Sequence, residues 1–177
     1  EATLRAVFGE PYVWQPVSIN PRYSVIPLLL GTIKITLIAM LFATPLGIAA
    51  AIYTAEFAPA RIRELVKPMI ELLAGLPSVV VGFFALIAIA TWVQATLGLQ
   101  FRLNSLTAGI GLAIAVLPII FTVSEEAMRS VPQAYREASL ALGASHPQTA
   151  LRVVLPAASP GIGAAMALGF GRAIGET

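Results

Sequence analysis

The chain has 177 residues, 58% of them hydrophobic and 11% charged, whereas a soluble globular domain carries about a quarter charged residues. This composition excludes a disordered chain and argues against a water-soluble domain, and the net charge of +2 is too small to predict binding to nucleic acid. The absence of cysteine excludes disulfides and cysteine-based metal sites.

Four apolar segments predict an all-α, polytopic bundle of transmembrane helices, at about residues 28–53, 68–93, 106–123 and 159–177. The first three approach or exceed the roughly 20 residues that cross a bilayer core. The fourth begins at Ser159-Pro160, a typical helix start, and we expect it to be truncated at Thr177. We predict an extracytoplasmic or interfacial segment over 1–25 and a transmembrane domain over 26–177, in a piece of a longer protein.

Basic residues between the segments predict the orientation in the membrane. The connections 54–67 and 124–158 hold three basic residues each: Arg61, Arg63, Lys67, Arg129, Arg136 and Arg152. Because cytoplasmic loops are enriched in lysine and arginine, both connections are predicted to be cytoplasmic. The chain is therefore predicted to be a multi-pass membrane protein.

The long inner connection 124–158 predicts two short helices with a tight turn. Pro132 can open the first helix, and Gly143 can close it by adopting the left-handed conformation. Ser145 is placed to start the second.

An apolar face is predicted on the first of these short helices. Tyr135, Ala138 and Leu142 have helical spacing and share one side of it. This face could pack under the protein's own spans or dock on a separate cytoplasmic subunit, and the spacing leaves both interpretations open.

The same connection carries a recognisable motif. It reads Glu137-Ala138-Ser139, three residues, Gly143, nine residues, and then Val153-Val154-Leu155-Pro156. This resembles the EAA signature of binding-protein-dependent ABC importer permeases, with Ser139 and Val153 in place of Ala and Ile. The resemblance implies that the connection is the coupling loop, held in a cleft of an ABC ATPase subunit. The ATPase-coupling residues carried over are Glu137, Ala138, Ser139, Gly143, Leu155 and Pro156.

The wider chain resembles the phosphate-importer branch of that family, through residues 27–32, 56–61, 71–80 and 171–177. It is more similar to the first of the two phosphate permease subunits than to the second. The resemblance implies a second permease subunit, an extracytoplasmic phosphate-binding protein and surrounding membrane lipid as partners. It also implies a transport subunit of the cell's inner (plasma) membrane that is not an enzyme and holds no cofactor, because the ATPase partner binds ATP.

A charged pair, Arg172 and Glu176, lies in the fourth segment, where charge is costly to bury. In one interpretation the two side chains neutralise each other and lock the helix against its neighbours. In the other, Arg172 faces the substrate path and offers its planar guanidinium to an oxyanion, while Glu176 keeps the binding weak. The family resemblance favours the second interpretation.

Other functional classes fit the sequence less well. No G-x-x-x-x-G-K-[ST] loop is present, and the chain has one histidine, His146, and no aspartate, which leaves no residues for an intramembrane hydrolase. Importers of another oxyanion or small solute, or a secondary transporter or channel without an ATPase, remain as alternatives. The patterned inner connection argues against the last two, which need no docking element.

Overall fold

The computed structural model describes residues 13–17 and 22–177. Most of the predicted segment 1–25 lies outside these residues, apart from a two-stranded antiparallel ladder of β1 (Trp14–Gln15) and β2 (Arg22–Tyr23). The rest of the described chain is helical, so the predicted all-α transmembrane class is confirmed.

Seven helices follow the ladder in the described part of the chain. They are α1 (Ile26–Phe57), α2 (Ala60–Ala74), α3 (Ser78–Leu97), α4 (Ser105–Arg129), α5 (Gln133–Ala141), α6 (His146–Ala157) and α7 (Ser159–Glu176). By length and composition, α1, α3 and α4 can each cross a membrane. The pair α6 and α7 could supply a fourth crossing, although it is bent by 67°.

The helix predicted over 68–93 is not continuous in the structure. Helix α2 ends at Ala74, the residues Gly75-Leu76-Pro77 are not helical, and α3 begins at Ser78. Pro77 lacks a backbone N–H and disfavours helical backbone at the residue before it, and it is itself extended, with φ −58° and ψ 133°. By contrast, Pro45 and Pro118 lie inside unbroken helices.

Two helices extend further than the hydropathy predicts. Helix α1 continues to Phe57 through a π-helical turn, Tyr53–Phe57, and α4 continues to Arg129 instead of stopping near Val123. Glu125, Glu126 and their neighbours are polar but form helix readily, so a hydropathy boundary is not a helix boundary here. The predicted inner connection therefore begins inside a helix.

Helices α1, α4 and α7 pack through small residues. Helix α1 buries a stripe consisting of Thr36, Ala39, Ala43, Gly47 and Ala51. Ile120 of α4 is fully buried between glycines of both neighbours: a Cβ added to Gly47 would lie 2.9 Å from its Cγ2, and one added to Gly169 would lie 2.8 Å from its Cγ1. Small residues allow helix backbones to approach closely in a membrane, where lipid removes most of the hydrophobic drive.

Helices α2 and α3 cover different halves of α4. Val66 and Ile70 of α2 pack against the core cluster that contains Phe121 and Met128, near the inner end of α4. Helix α3 lies against the outer half, where a Cβ added to Gly111 would meet the Cβ of Ala85 at 2.6 Å. The break at Pro77 thus separates the two contacts.

Candidate functional site

The inner connection folds into two short helices joined by a glycine turn. Helix α5 begins after Pro132, which is extended, and ends at Ala141, two residues before Gly143, whose φ is +86°. The Gly143 N–H donates to the Leu140 carbonyl at 2.9 Å, and the Ala144 N–H donates to the Ser139 carbonyl at 3.2 Å. These are the two hydrogen bonds of a Schellman motif, and they confirm the predicted conformation of Gly143.

Helix α6 begins after Ser145, as predicted. The Ser145 backbone N–H donates to Oε1 of Gln148 at 2.9 Å, half of a capping box at the helix start. The hydroxyls of Ser139 and Thr149 lie 2.9 Å apart and tie α5 to α6. The pair of helices is therefore held at the turn and again beside it.

The apolar face of α5 is open to its surroundings. Tyr135 is 55% exposed, Leu142 is 89% exposed, and Ala138 between them is also exposed. Among residues 13–17 and 22–177, no span covers this face. The face lines one side of a groove of about 430 Å³ between α5 and α6, whose lining residues are Tyr135, Ala138, Ser139, Leu142, Ala144, Gln148, Arg152 and Val153.

The predicted coupling residues do not form one cluster. Ala138 and Ser139 line the groove, exposed Glu137 lies beside them on α5, and Gly143 forms the turn. Leu155 and Pro156 lie at the far end of α6, where Leu155 packs against the core cluster that contains Phe121 and Met128. In the second half of the motif, Val153 lines the groove, whereas Leu155 and Pro156 lie between the groove and α7.

Two ion pairs of the inner end were not predicted from the sequence. Arg136 contacts Glu56 at 2.8 Å, with 16% and 12% of the side chains exposed. Because these residues are separated by 80 positions, no local spacing could have indicated the pair.

The second unpredicted pair joins α2 to α4. Glu125 is 1% exposed and lies 3.3 Å from Nζ of Lys67 and 3.4 Å from Nε of Arg129. Lys67 lies one turn before Glu71, a spacing at which opposite charges can pair, but its Nζ reaches Glu125 on another helix. The spacing of Glu125 and Arg129, four residues apart, was a usable signal for half of this cluster.

The charged pair of α7 lies at the C-terminal end of this helix, away from α6. Nε of Arg172 is 3.9 Å from a carboxylate oxygen of Glu176, and the side chains are 33% and 29% exposed. Glu176 lines a cavity of about 410 Å³ between α3, α4 and the end of α7, whereas Arg172 does not. No group of three or more metal-binding side chains occurs among residues 13–17 and 22–177.

The chain is similar to proteins of known family. The family described as binding-protein-dependent transport system inner membrane component matches residues 43–177. A probable ABC transporter permease protein, YqgH of Bacillus subtilis, is 42% identical over 168 residues, which cover 92% of this chain and 53% of that protein.

Two relatives in Mycobacterium tuberculosis are phosphate transport system permease proteins. PstC 1 is 35% identical over 191 residues, covering 96% of this chain and 56% of the relative. PstA 1 is 36% identical over 149 residues, covering 84% and 46%. The chain thus spans about half the length of the curated relatives it matches.

A solved structure of the MetNI methionine ABC transporter, in inward-facing conformations, has the same fold. Its TM-score is 0.65 at 22% identity, and the match covers 86% of this chain and 68% of that one. At this identity the likeness supports the fold and the arrangement of helices.

Proposed function

We propose, because the chain belongs to the family of binding-protein-dependent transport system inner membrane components, that it forms part of the path for inorganic phosphate in an ATP-driven importer. Two relatives that are 35% and 36% identical to it over the aligned residues are named phosphate transport system permease proteins. The substrate is proposed from those names, and the coupling to an ATPase is proposed from the connection between α4 and α7.

The observation that carries the proposal is the open groove between α5 and α6. Helix α5 has no buried residue, so nothing in the part of the chain that the structure describes accounts for the apolar side chains of Tyr135 and Leu142. A short helix that presents an exposed apolar face on the predicted cytoplasmic side is suited to a cleft in another protein. We assign this groove, with Glu137 beside it, to an ABC ATPase subunit.

The source of energy lies outside this chain in the proposal. The ATPase partner binds and hydrolyses ATP, and its motion reaches the membrane helices through α5, Gly143 and α6. A second permease subunit completes the path, and an extracytoplasmic phosphate-binding protein delivers the substrate at the other end. The chain itself is a transport subunit without a catalytic site of its own.

Arg172 is the residue we assign to the phosphate path. Its guanidinium can donate two parallel hydrogen bonds to a phosphate, and partial exposure leaves it accessible. Glu176, one turn away, competes for the same donors and keeps the binding weak. Weak binding suits transport because a tightly held ion would not leave.

The groove assignment is tested by placing a charge at its rim. Burying one leucine side chain stabilises a complex by about 1.5–3 kcal/mol, so Leu142→Glu should weaken ATPase binding at least about tenfold. The measurement is recovery of the ATPase with the purified full-length permease, together with ATP-dependent uptake of radiolabelled phosphate into proteoliposomes. Leu97→Glu, at an exposed leucine near the opposite end, is the matched control and should retain the ATPase.

Two outcomes would contradict the proposal. Normal ATPase recovery and uptake in Leu142→Glu would remove the groove from the docking surface. Phosphate uptake by the wild-type assembly without any nucleotide would indicate a channel or secondary transporter instead.

A further inference from the structure

The inner ends of α1, α4 and α5 meet at a single side chain, that of Arg136. Its Nε donates to one carboxylate oxygen of Glu56 at 3.4 Å, and its Nη2 donates to the other at 2.8 Å. The same guanidinium donates to the backbone carbonyls of Met128, at 2.8 Å, and Val131. One planar group therefore binds the end of α1 through a side chain and the end of α4 through its backbone.

Glu56 is held in place by the π-helical turn that ends α1. This turn, Tyr53–Phe57, departs from the α-helical hydrogen-bond pattern, and the Ala58 N–H closes it on the Tyr53 carbonyl at 2.8 Å. Arg63 of α2 donates to the carbonyls of Thr54 and Ala55, at 3.2 and 3.3 Å. The Glu56 carboxylate that Arg136 contacts is thus carried by a backbone turn that Arg63 holds in place.

The carbonyls at the end of α4 need a donor. The last carbonyls of a helix lack intrahelical partners, and a cation placed there also meets the negative end of the helix dipole. Arg136 supplies both the hydrogen-bond donors and the positive charge, because it contacts Met128 inside the last turn of α4 and Val131 just beyond it. Its guanidinium uses all three of its nitrogens in these contacts.

Helix α5 otherwise packs along its backbone mainly against α6. The side chain of Arg136 reaches away from the groove, toward the membrane helices, while its neighbour Glu137 is exposed. Adjacent residues of α5, about 100° apart around the helix, therefore have different surroundings. One is available to a partner and the other is tied to two membrane helices.

We propose that Arg136 is the positioning residue that makes α5 and the inner ends of α1 and α4 move as one body. This rests on the proposed function, because it concerns how a displacement of α5 by the ATPase reaches the spans. A bidentate pair with two additional carbonyl contacts resists both sliding and rotation, which a single hydrogen bond does not. Without it, α5 could follow the ATPase while α1 and α4 stayed in place.

The first test measures coupling in the full-length complex in proteoliposomes. Arg136→Gln and Glu56→Gln should each retain the ATPase subunit and hydrolyse ATP, but the phosphate imported per ATP should fall at least tenfold. The charge-swapped double variant Arg136→Glu with Glu56→Arg should recover part of that ratio. Arg61→Gln, which removes an exposed positive charge from α2 on the same side, is the control and should leave the ratio unchanged.

The second test measures movement directly. Spin labels on Phe57→Cys and Ala141→Cys, both exposed positions, report the distance from the end of α1 to α5. In a full-length protein otherwise free of cysteine, that distance should stay constant with and without nucleotide. In the Arg136→Gln background it should change with nucleotide.

Three outcomes would overturn the inference. Normal coupling in both single variants would show that the pair transmits nothing. Loss of the ATPase from both, with no recovery in the double variant, would show that the pair only maintains the fold. A nucleotide-dependent distance in the wild type would show that α5 moves separately. Failure of the proposed function is distinguishable, because then the wild-type complex itself would lack ATP-coupled uptake.

Discussion

At the scale of the residue, Gly143 shows how a single backbone angle shapes the turn between α5 and α6. Its φ of +86° lies in the left-handed region, and an added Cβ would meet nothing within 4 Å. A side chain here is therefore opposed by backbone conformation alone and not by a clash. The cost for an L residue is about 1–2 kcal/mol, and it is smaller for asparagine, which adopts this conformation more readily.

We predict a graded loss of coupling at Gly143. The phosphate imported per ATP should decrease in the order Gly, Asn, Ala, Val as the turn opens and α5 is displaced from α6. Gly98 provides a matched control, since its φ is +62°, it is equally free of contacts and it follows α3 at the opposite end of α4. Gly98→Val should not lower the ratio, and an unchanged ratio in Gly143→Val would contradict the prediction.

The contrast between Arg136 and Glu137 belongs to the same scale. They are neighbours in sequence, but a helix rotates its side chains by about 100° per residue, so one can face the membrane helices while the next faces outward. The EAA pattern draws attention to Glu137. The structure adds Arg136, which the pattern does not contain.

At the scale of the element, glycines determine how closely α1 and α4 can approach. A Cβ added to Gly109 of α4 would lie 2.6 Å from the Cβ of Ile38 and 3.4 Å from the backbone nitrogen of Ala39. Neither atom is the end of a flexible side chain, so the helices would have to separate. Overpacking of this kind costs about 1–3 kcal/mol.

We therefore predict that Gly109→Ala lowers the thermal stability of the detergent-purified full-length protein. Gly163→Ala in α7, where an added Cβ meets nothing within 4 Å, is the control for the change itself. Both substitutions gain about 1 kcal/mol of helix propensity, so their difference isolates the packing. Equal melting temperatures would mean that α1 and α4 can adjust without cost.

The interrupted element formed by α2 and α3 also has a packing explanation. A single helix over 68–93 would satisfy the hydropathy, but Pro77 divides it, and the two parts contact different halves of α4. Lys67, just before the segment 68–93, contacts Glu125 of α4, a pair that the predicted single helix did not indicate. The break is encoded locally by proline, whereas its consequence depends on α4.

At the scale of the whole molecule, the packing of α1, α4 and α7 bears on where a phosphate path can run. Ala173 is fully buried against the other helices, while Arg172, the next residue round the helix, is one-third exposed. We expect the path on the surface to which Arg172 points, completed by the second permease subunit, because a path between α1, α4 and α7 would have to separate their close contacts.

We predict that Arg172→Ala reduces phosphate uptake by at least about tenfold while the complex still assembles, since charge-assisted hydrogen bonds contribute about 1.5–3 kcal/mol. Uptake of radiolabelled phosphate into proteoliposomes is the measurement. Adding Glu176→Gln distinguishes the two interpretations of the pair. If Arg172 only neutralises Glu176, removing both charges restores uptake; if it contacts phosphate, uptake stays low.

The properties that depend on a few neighbouring residues could be predicted from the sequence. Hydropathy indicated a membrane protein, helical spacing indicated the face of α5, and Gly143 indicated a left-handed turn, because each is decided by solvation or backbone angles within a short stretch. The same locality explains why the ends of α1 and α4 were placed too early: hydropathy reports the apolar part of a helix and not its length.

Which surfaces remain free and which distant charges meet depends on how the helices pack. Whether Leu142 is buried or open depends on everything that could cover it, and the contact of Arg136 with Glu56 joins residues 80 positions apart. An ion pair between distant residues leaves no periodic trace in the sequence, because its geometry is set by how whole helices pack. The residues that tie α5 to the membrane helices were therefore visible only once the chain was folded.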